Sequence, residues 1–202
     1  MKLYYFPGAC STAPHIVACE AGIPLDLEKV DLGSRRTASG EDYAAVNPKG
    51  YVPALRLDDG SVLTEVSALI QYLADLAPAS GLIPAAGTMA RYRVLEWIGY
   101  VSTEIHKGFG PLWNAKLAPE ARAAAVAALA RRLDLVEQVL SRQPFLTGPS
   151  FGVADAYLFT VASWAPWVKL DMTPWPKLRD FVARIGARPK VQEALVAEGL
   201  VE

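Results

Sequence analysis

Asn47-Pro48-Lys49-Gly50-Tyr51-Val52-Pro53-Ala54-Leu55-Arg56-Leu57-Asp58-Asp59-Gly60-Ser61-Val62-Leu63-Thr64-Glu65 is the stretch whose reading decides the fold. Two β-prone runs, 54–57 and 61–63, flank Asp58-Asp59-Gly60, and Asp-Gly between such runs is a strong hairpin signal. Pro53 has no N–H to give a ladder, so it suits the start of an edge strand. Downstream, Thr64-Glu65 opens a helix that carries Leu69, Ile70, Leu73 and Leu76 at helical spacing. Upstream, Leu25 and Leu27 alternate with Asp26 and Glu28 in a half-buried strand over 25–30, and 41–46 reads as a short helix. Lys2–Tyr5 is a β-prone run stopped by Pro7-Gly8. Ser11-Thr12 then offer N-caps for a helix to Ala21, with Pro14 in its first turns and Gly22 as its stop. The expected order is β-α-β-α-β-β-α within residues 1–78, a small α/β unit.

Residues 79–86 are rich in Pro, Gly, Ala and Ser and read as a linker. Residues 87–202 show no convincing strand. Long helices are expected over 89–109 and 119–142, and shorter ones over 153–164, 177–185 and 191–197. Alanine-rich 123–130 favours helix intrinsically.

The 202 residues are 52% hydrophobic and 20% charged, a globular composition that excludes disorder. Twenty basic and twenty-one acidic residues leave a net charge of −1, without the basic field of a nucleic-acid binder. Residues 1–80 carry six basic and ten acidic residues, while the remainder is slightly basic. The N-terminus lacks the apolar core of a secretory signal, and no apolar run is long enough to span a bilayer. Two cysteines, Cys10 and Cys19, fit neither a disulfide scaffold nor a zinc pattern, so no metal is expected. These features lead us to expect residence in a reducing cytoplasm.

Cys10 falls after a strand and a turn and just before a helix. The unsatisfied N–H groups and dipole of a helix start favour the reactive thiolate; a small core-filling thiol is the other reading. Cys19, mid-helix beside Ile16 and Val17, reads as core packing, and His15 as structural. A cis Val52–Pro53 bond would leave the Val52 N–H and C=O for an extended peptide ligand; a trans proline at an edge strand is the alternative. Free N–H groups at Thr64–Ser67 suit a carboxylate, and Glu65 suits an ammonium. Gly99, Thr103, His106 and Gly110 recur at spacings of four, three and four, on one helix face. Val94, Ile98, Val101 and Ile105 form an apolar face beside it.

Three N-terminal segments, Tyr4-Tyr5-Phe6-Pro7-Gly8-Ala9-Cys10-Ser11, Asn47–Leu55 and Leu63-Thr64-Glu65, together resemble the N-terminal domain of glutathione transferases. Ser102-Thr103-Glu104-Ile105-His106-Lys107, Val153–Phe159, Arg188-Pro189 and Ala197-Glu198-Gly199-Leu200 resemble the helical domain of the same family. The likeness covers essentially the whole chain and is nearest the bacterial beta class, marked by Cys10 and His106. It implies an α+β two-domain fold, with a thioredoxin-like N-domain and an all-helical C-domain, assembled as a homodimer. It implies glutathione as co-substrate, held by Cys10, Ser11, Arg35, Val52, Pro53, Glu65, Val66 and Ser67. Gly99, Thr103, Glu104, His106 and Lys107 complete the implied set. Cys10 and His106 are the implied catalytic pair. The implied electrophile pocket is lined by Phe6, Ala9, Phe109, Leu112, Trp113, Trp164 and Trp167. The implied activity is conjugation of glutathione to apolar electrophiles, or thiol exchange or dehalogenation through Cys10. A maleylpyruvate-type isomerase and a non-catalytic binding protein are the alternatives.

Three positions depart from the family pattern. Val66 stands where a small residue is usual and offers a backbone N–H without a hydroxyl. Gly99 replaces a common Asn. Gly152 stands where a Ser or Thr normally pairs with Asp155, which leaves the capping box without its hydroxyl half.

Overall fold

The computed structural model describes residues 1–202. The chain divides into two compact units, 1–83 with 187–202, and 84–186. The expected division into two domains is present.

The first unit is built on a five-stranded sheet: β1 (Lys2–Tyr5), β2 (Asp26–Asp31), β3 (Arg36–Thr37), β4 (Ala54–Arg56) and β5 (Val62–Thr64). Their spatial order is β3-β2-β1-β4-β5. β1 runs parallel to β2, while β4 is antiparallel to both β1 and β5. The Asp-Gly turn joins β4 to β5 as the sequence predicts. Strand β3, only two residues long, carries no alternation to read.

Helices α1 (Thr12–Ala21), α2 (Tyr43–Val46) and α3 (Val66–Leu76) complete the β-α-β core. Alternate side chains of a strand face opposite ways. Tyr4, Val30 and Ala54 therefore cluster with Tyr43 and Val46 of α2. Leu3 and Leu55, on the other face of the same strands, are fully buried, as are Ile16 of α1 and Leu69, Ile70 and Leu73 of α3. Gly22 stops α1 in the left-handed region, φ 69°, with its N–H on the last carbonyls. Ser11 does not cap α1. Its hydroxyl turns back, accepting from the Phe6 N–H and donating to the Phe6 carbonyl, both at 3.2 Å.

The second unit is helical: α4 (Met89–Tyr100), α5 (Lys107–Phe109), α6 (Pro119–Leu140), α7 (Val153–Ala162) and α8 (Pro176–Gly186). The single helix expected over 89–109 is broken in kind, because Val101–His106 is wound as a π-helix between α4 and α5. Val94, Ile98, Val101 and Ile105 are buried, as their spacing predicts. All ten residues of α7 are buried, which makes it the central helix of this unit. Glu137 of α6 receives the Lys177 and Leu178 N–H groups, both at 2.9 Å, and so caps α8. No helix of the chain is long and apolar enough to cross a membrane.

The last helix, α9 (Pro189–Ala197), belongs with the first unit and packs on α1. Arg188 binds Glu20 of α1 through two nitrogens, at 2.6 and 2.9 Å.

Asp155 keeps its own half of the capping box although Gly152 has no hydroxyl to supply the other. Its carboxylate takes the Gly152 N–H at 2.9 Å and the Leu146 N–H at 2.8 Å, tying the 146–152 loop to the start of α7. Burial pushes this carboxyl up to about 7, against the pull of the two amides. Asp155→Ala strands both amides in a dry site. It is expected to lower the free energy of unfolding by about 3 kcal/mol, read as a lower urea midpoint at unchanged slope.

Candidate functional site

The sheet register brings the N-terminal candidates to one end of the first unit. Tyr4 faces Ala54, and Ala54 faces Thr64. The loop after β1 carries Cys10, the residues before β4 are Val52-Pro53, and the residue after β5 is Glu65. All three therefore leave the sheet at the same edge. Because β2 is parallel to β1 and its last residue pairs with Arg36, Arg35 lies at that end too.

Around Cys10 the chain turns through Gly8 at φ 72°. The Cys10 thiol donates to the Val52 carbonyl at 3.3 Å. The Val52–Pro53 bond is cis. Of the two Val52 groups expected to serve a ligand, the carbonyl is thus engaged by Cys10.

Glu65 holds φ 75° and ψ 125°, a left-handed conformation unusual for a residue with a Cβ. Such backbone persists where the surroundings impose it, often at functional positions. Lys49 donates to the Glu65 carboxylate at 2.7 Å and to the Thr64 hydroxyl at 2.9 Å. No side chain caps α3, whose first amides are those of Val66 and Ser67, and Val66 is buried. Arg35 is exposed and also has positive φ, 57°.

In the second unit, His106 ends the π segment. Its Nδ1 shares a proton with the Tyr157 hydroxyl across 2.7 Å. Its ring meets Trp164 edge-on at 4.9 Å between centroids. Burial, with the Lys107 charge adding to it, pulls the imidazole down to about 4, so His106 is neutral at pH 7. Trp164 also meets Phe109 and Trp113, each at 5.8 Å, and Trp113 approaches Trp167. Phe109, Leu112 and Trp164 are buried, whereas Trp113 and Trp167 are about half exposed (48% and 54%). In the first unit Phe6 is exposed and Ala9 packs on the Tyr4 cluster.

The remaining candidates of the second unit turn elsewhere. Thr103 donates back to the Gly99 carbonyl at 3.0 Å, and Arg132 binds Glu104 at 3.1 Å. Thr103, Glu104 and Lys107 line a cleft of about 240 Å³ with Leu129 and Arg132 of α6, while His106 faces Tyr157 and Trp164. The π winding breaks the spacing of four, three and four that places Gly99, Thr103 and His106 on one α-helical face. A side chain at Gly99 has open space around it.

Two residues central to this geometry are not among the site residues the sequence implies, although both fall in segments that carry the family resemblance. Tyr157 sits in an apolar run that reads as core. Glu198, at the end of α9, accepts from the Gly8 N–H at 3.0 Å and the Thr12 hydroxyl at 2.8 Å, and pairs with His15 Nδ1 at 2.9 Å. It thereby holds the loop on both sides of Cys10. Burial pulls His15 down, but hydrogen bonding and attraction from Cys19 and Glu198 raise it to about 9.

Comparison with known proteins shows the family. Residues 8–76 match the family model described as glutathione S-transferase, N-terminal domain, and residues 100–189 match its C-terminal domain. Glutathione S-transferase GstA of Escherichia coli O157:H7 is 46% identical over 200 residues, covering 99% of this chain and all of that one. A sphingomonad glutathione S-transferase solved with glutathione is 44% identical at TM-score 0.95. The bacterial beta-class glutathione S-transferase of Sphingomonas chungbukensis is 43% identical at the same TM-score. Both of these structures and this chain cover one another completely.

Two histidines with opposite shifts give a clean titration. In an NMR pH series one imidazole is expected to stay neutral down to about pH 4 and the other to stay charged up to about pH 9, with none titrating near 6.5. His15 is raised above its unfolded value, so its stabilisation is complete below pH 6.5 and lost as pH rises through 9. His106 is depressed, so its neutral form stabilises the fold above pH 6.5 and that share is lost as pH falls toward 4. Together they centre stability near pH 6.5.

Proposed function

The chain belongs to the glutathione S-transferase family, and from that premise we propose that its chemistry is centred on Cys10, with glutathione laid along the sheet end of the first unit. The observation that carries this reading is the convergence of the Cys10 thiol, the Val52 backbone and the uncapped start of α3 at one edge of the sheet. Glutathione is a small anionic peptide with a thiol. Its cysteinyl main chain suits Val52, and its γ-glutamyl carboxylate suits the Val66 and Ser67 amides. Its ammonium suits Glu65, and its glycyl carboxylate suits Arg35. The Cys10 N-terminal helix position favours a bound or attacking thiolate.

Two reactions follow. In conjugation the glutathione thiolate attacks an electrophilic carbon, a C–S bond forms and the leaving group departs. Cys10 orients the sulfur, whereas Ser11, buried with its hydroxyl turned onto the Phe6 backbone, does not reach it. In thiol exchange Cys10 itself attacks a disulfide sulfur and keeps half of it as a mixed disulfide. His106 is proposed as the second catalytic residue; a neutral imidazole has one nitrogen to donate and one to accept. Residence in the cytoplasm and assembly as a symmetric homodimer complete the reading.

The decisive assay is a panel of electrophiles with glutathione, scored by product mass. Cys10→Ala is expected to remove the glutathione adduct from the peptide carrying residue 10 and to abolish thiol exchange, while leaving part of any conjugation. Glu65→Gln is expected to raise KM for glutathione about tenfold with little change in kcat, the loss of one charged hydrogen bond. His106→Ala with unaltered kinetics removes the role given to His106. Product formed without net consumption of glutathione assigns isomerase chemistry instead. Retention on immobilised glutathione without any product assigns a binding protein. Sedimentation at micromolar concentration is expected to show a species near twice the 21.8 kDa chain mass; a species of single mass alone removes the dimer.

A further inference from the structure

His106 closes the π-wound run Val101–His106, and rings of the same unit hold its imidazole on two sides. Tyr157 of α7 meets it edge-on at 5.8 Å between centroids and 87° between planes, and Trp164 at 4.9 Å and 73°. Tyr157 and Trp164 are themselves buried, so neither ring has room to yield. The imidazole is thus held with Nδ1 turned inward to the Tyr157 hydroxyl, at 2.7 Å. His106 as a whole is half-buried. Its Nε2 makes no hydrogen bond within the chain and, since no buried side-chain nitrogen or oxygen lacks a partner, stays open to solvent.

The hydrogen bond at one ring nitrogen decides where the proton of a neutral imidazole sits. That ring offers one N–H and one bare nitrogen. The bare nitrogen is a better acceptor than a phenol oxygen, and a phenol O–H is a more acidic donor than an imidazole N–H. Hydroxyl to ring nitrogen is therefore the stronger of the two arrangements across 2.7 Å, and it leaves the ring proton on Nε2. The surroundings keep the ring neutral, since burial and the Lys107 charge pull His106 down to about 4.

We propose that Tyr157 is a positioning residue: its hydroxyl donates to Nδ1 of His106 and fixes the ring proton on Nε2, so that His106 serves the glutathione sulfur as a hydrogen-bond donor and not as a base. This rests on the reading of His106 as the second catalytic residue. The glutathione thiol sheds its proton to solvent, and Nε2–H donates to the sulfur anion that remains. A hydrogen bond to an ion is roughly twice as strong as one between neutral groups. The imidazole thereby favours the thiolate while keeping its own proton. The same bond explains why a tyrosine stands inside the wholly buried α7, where the hydroxyl needs a partner that a phenylalanine would not.

The test is nitrogen-15 NMR of the imidazoles in the full chain at pH 7, with Tyr157→Phe beside the parent. His15 is charged there and shows two protonated nitrogens, which tells it apart from neutral His106. The parent is expected to carry the His106 proton on Nε2, with Nδ1 at the position of a nitrogen that accepts a hydrogen bond. In Tyr157→Phe the Nδ1 signal is expected to move downfield, as a ring nitrogen does when it stops accepting. Product formation is expected to fall about fivefold in kcat, with KM for glutathione little changed. In a His106→Ala background the same substitution is expected to have no further effect, because Tyr157 acts through His106. A parent spectrum with the proton on Nδ1 overturns the proposal, as does a Tyr157→Phe spectrum that matches the parent. An equal fall in kcat with and without His106 overturns it too, and leaves Tyr157 a packing residue. If Tyr157→Phe does not fold, the parent spectrum decides. An unaltered His106→Ala enzyme removes the catalytic role of His106, and with it the donor role, while the spectra still decide whether Tyr157 sets the ring.

Discussion

At the end of the last helix, one buried carboxylate collects the Gly8 N–H, the Thr12 hydroxyl and the His15 imidazole. A carboxylate taken out of water is destabilising unless it is fully partnered. Glu198 has three partners, and each lies in the segment around Cys10. Gly8 belongs to the turn before the thiol, while Thr12 and His15 belong to the helix after it. The position of Cys10 is therefore set by a residue near the opposite terminus of the chain. The Arg188–Glu20 pair fixes α9 along α1 and so brings that carboxylate into register.

The two histidines show how environment decides charge for one residue type. His15 is buried beside a carboxylate and keeps its proton far above the usual range. His106 is buried against Trp164 and Tyr157 beside a lysine and loses its proton well below that range. Burial disfavours the ion in both. The sign of the neighbouring charge then separates them. The chain thus holds a permanent cation in one unit and a permanently neutral imidazole in the other across the physiological range.

The parts legible in the sequence are those written locally. Asp58-Asp59-Gly60 specifies its hairpin, Gly22 ends its helix, and Val94, Ile98, Val101 and Ile105 announce a buried face. The Cys10, Val52 and Glu65 convergence was reachable because each residue adjoins a strand end. What escaped depends on partners distant in sequence. Ser11 has the composition of a cap, but the returning Phe6 backbone competes for its hydroxyl. Helix α9 reads as one more element of the helical part, yet its apolar face packs on α1. Cys19 reads as core packing, yet it is half-buried on the wall of an open cleft. The turn of Thr103, Glu104 and Lys107 toward α6 follows from the π winding, and nothing local in Val101–His106 marks that winding.

The π segment also bears on how this chain tolerates changes of length. A π turn is an α-helix carrying a surplus residue. Losing one residue between 101 and 106 removes the surplus and restores regular α winding, so the segments on either side stay in phase. Val94 and Ile98 keep their places in the core. The same loss from a regularly wound helix turns everything beyond it by about 100°. In descendants of this sequence, Val101–His106 is therefore the stretch of this helical run where a single-codon deletion is most readily inherited.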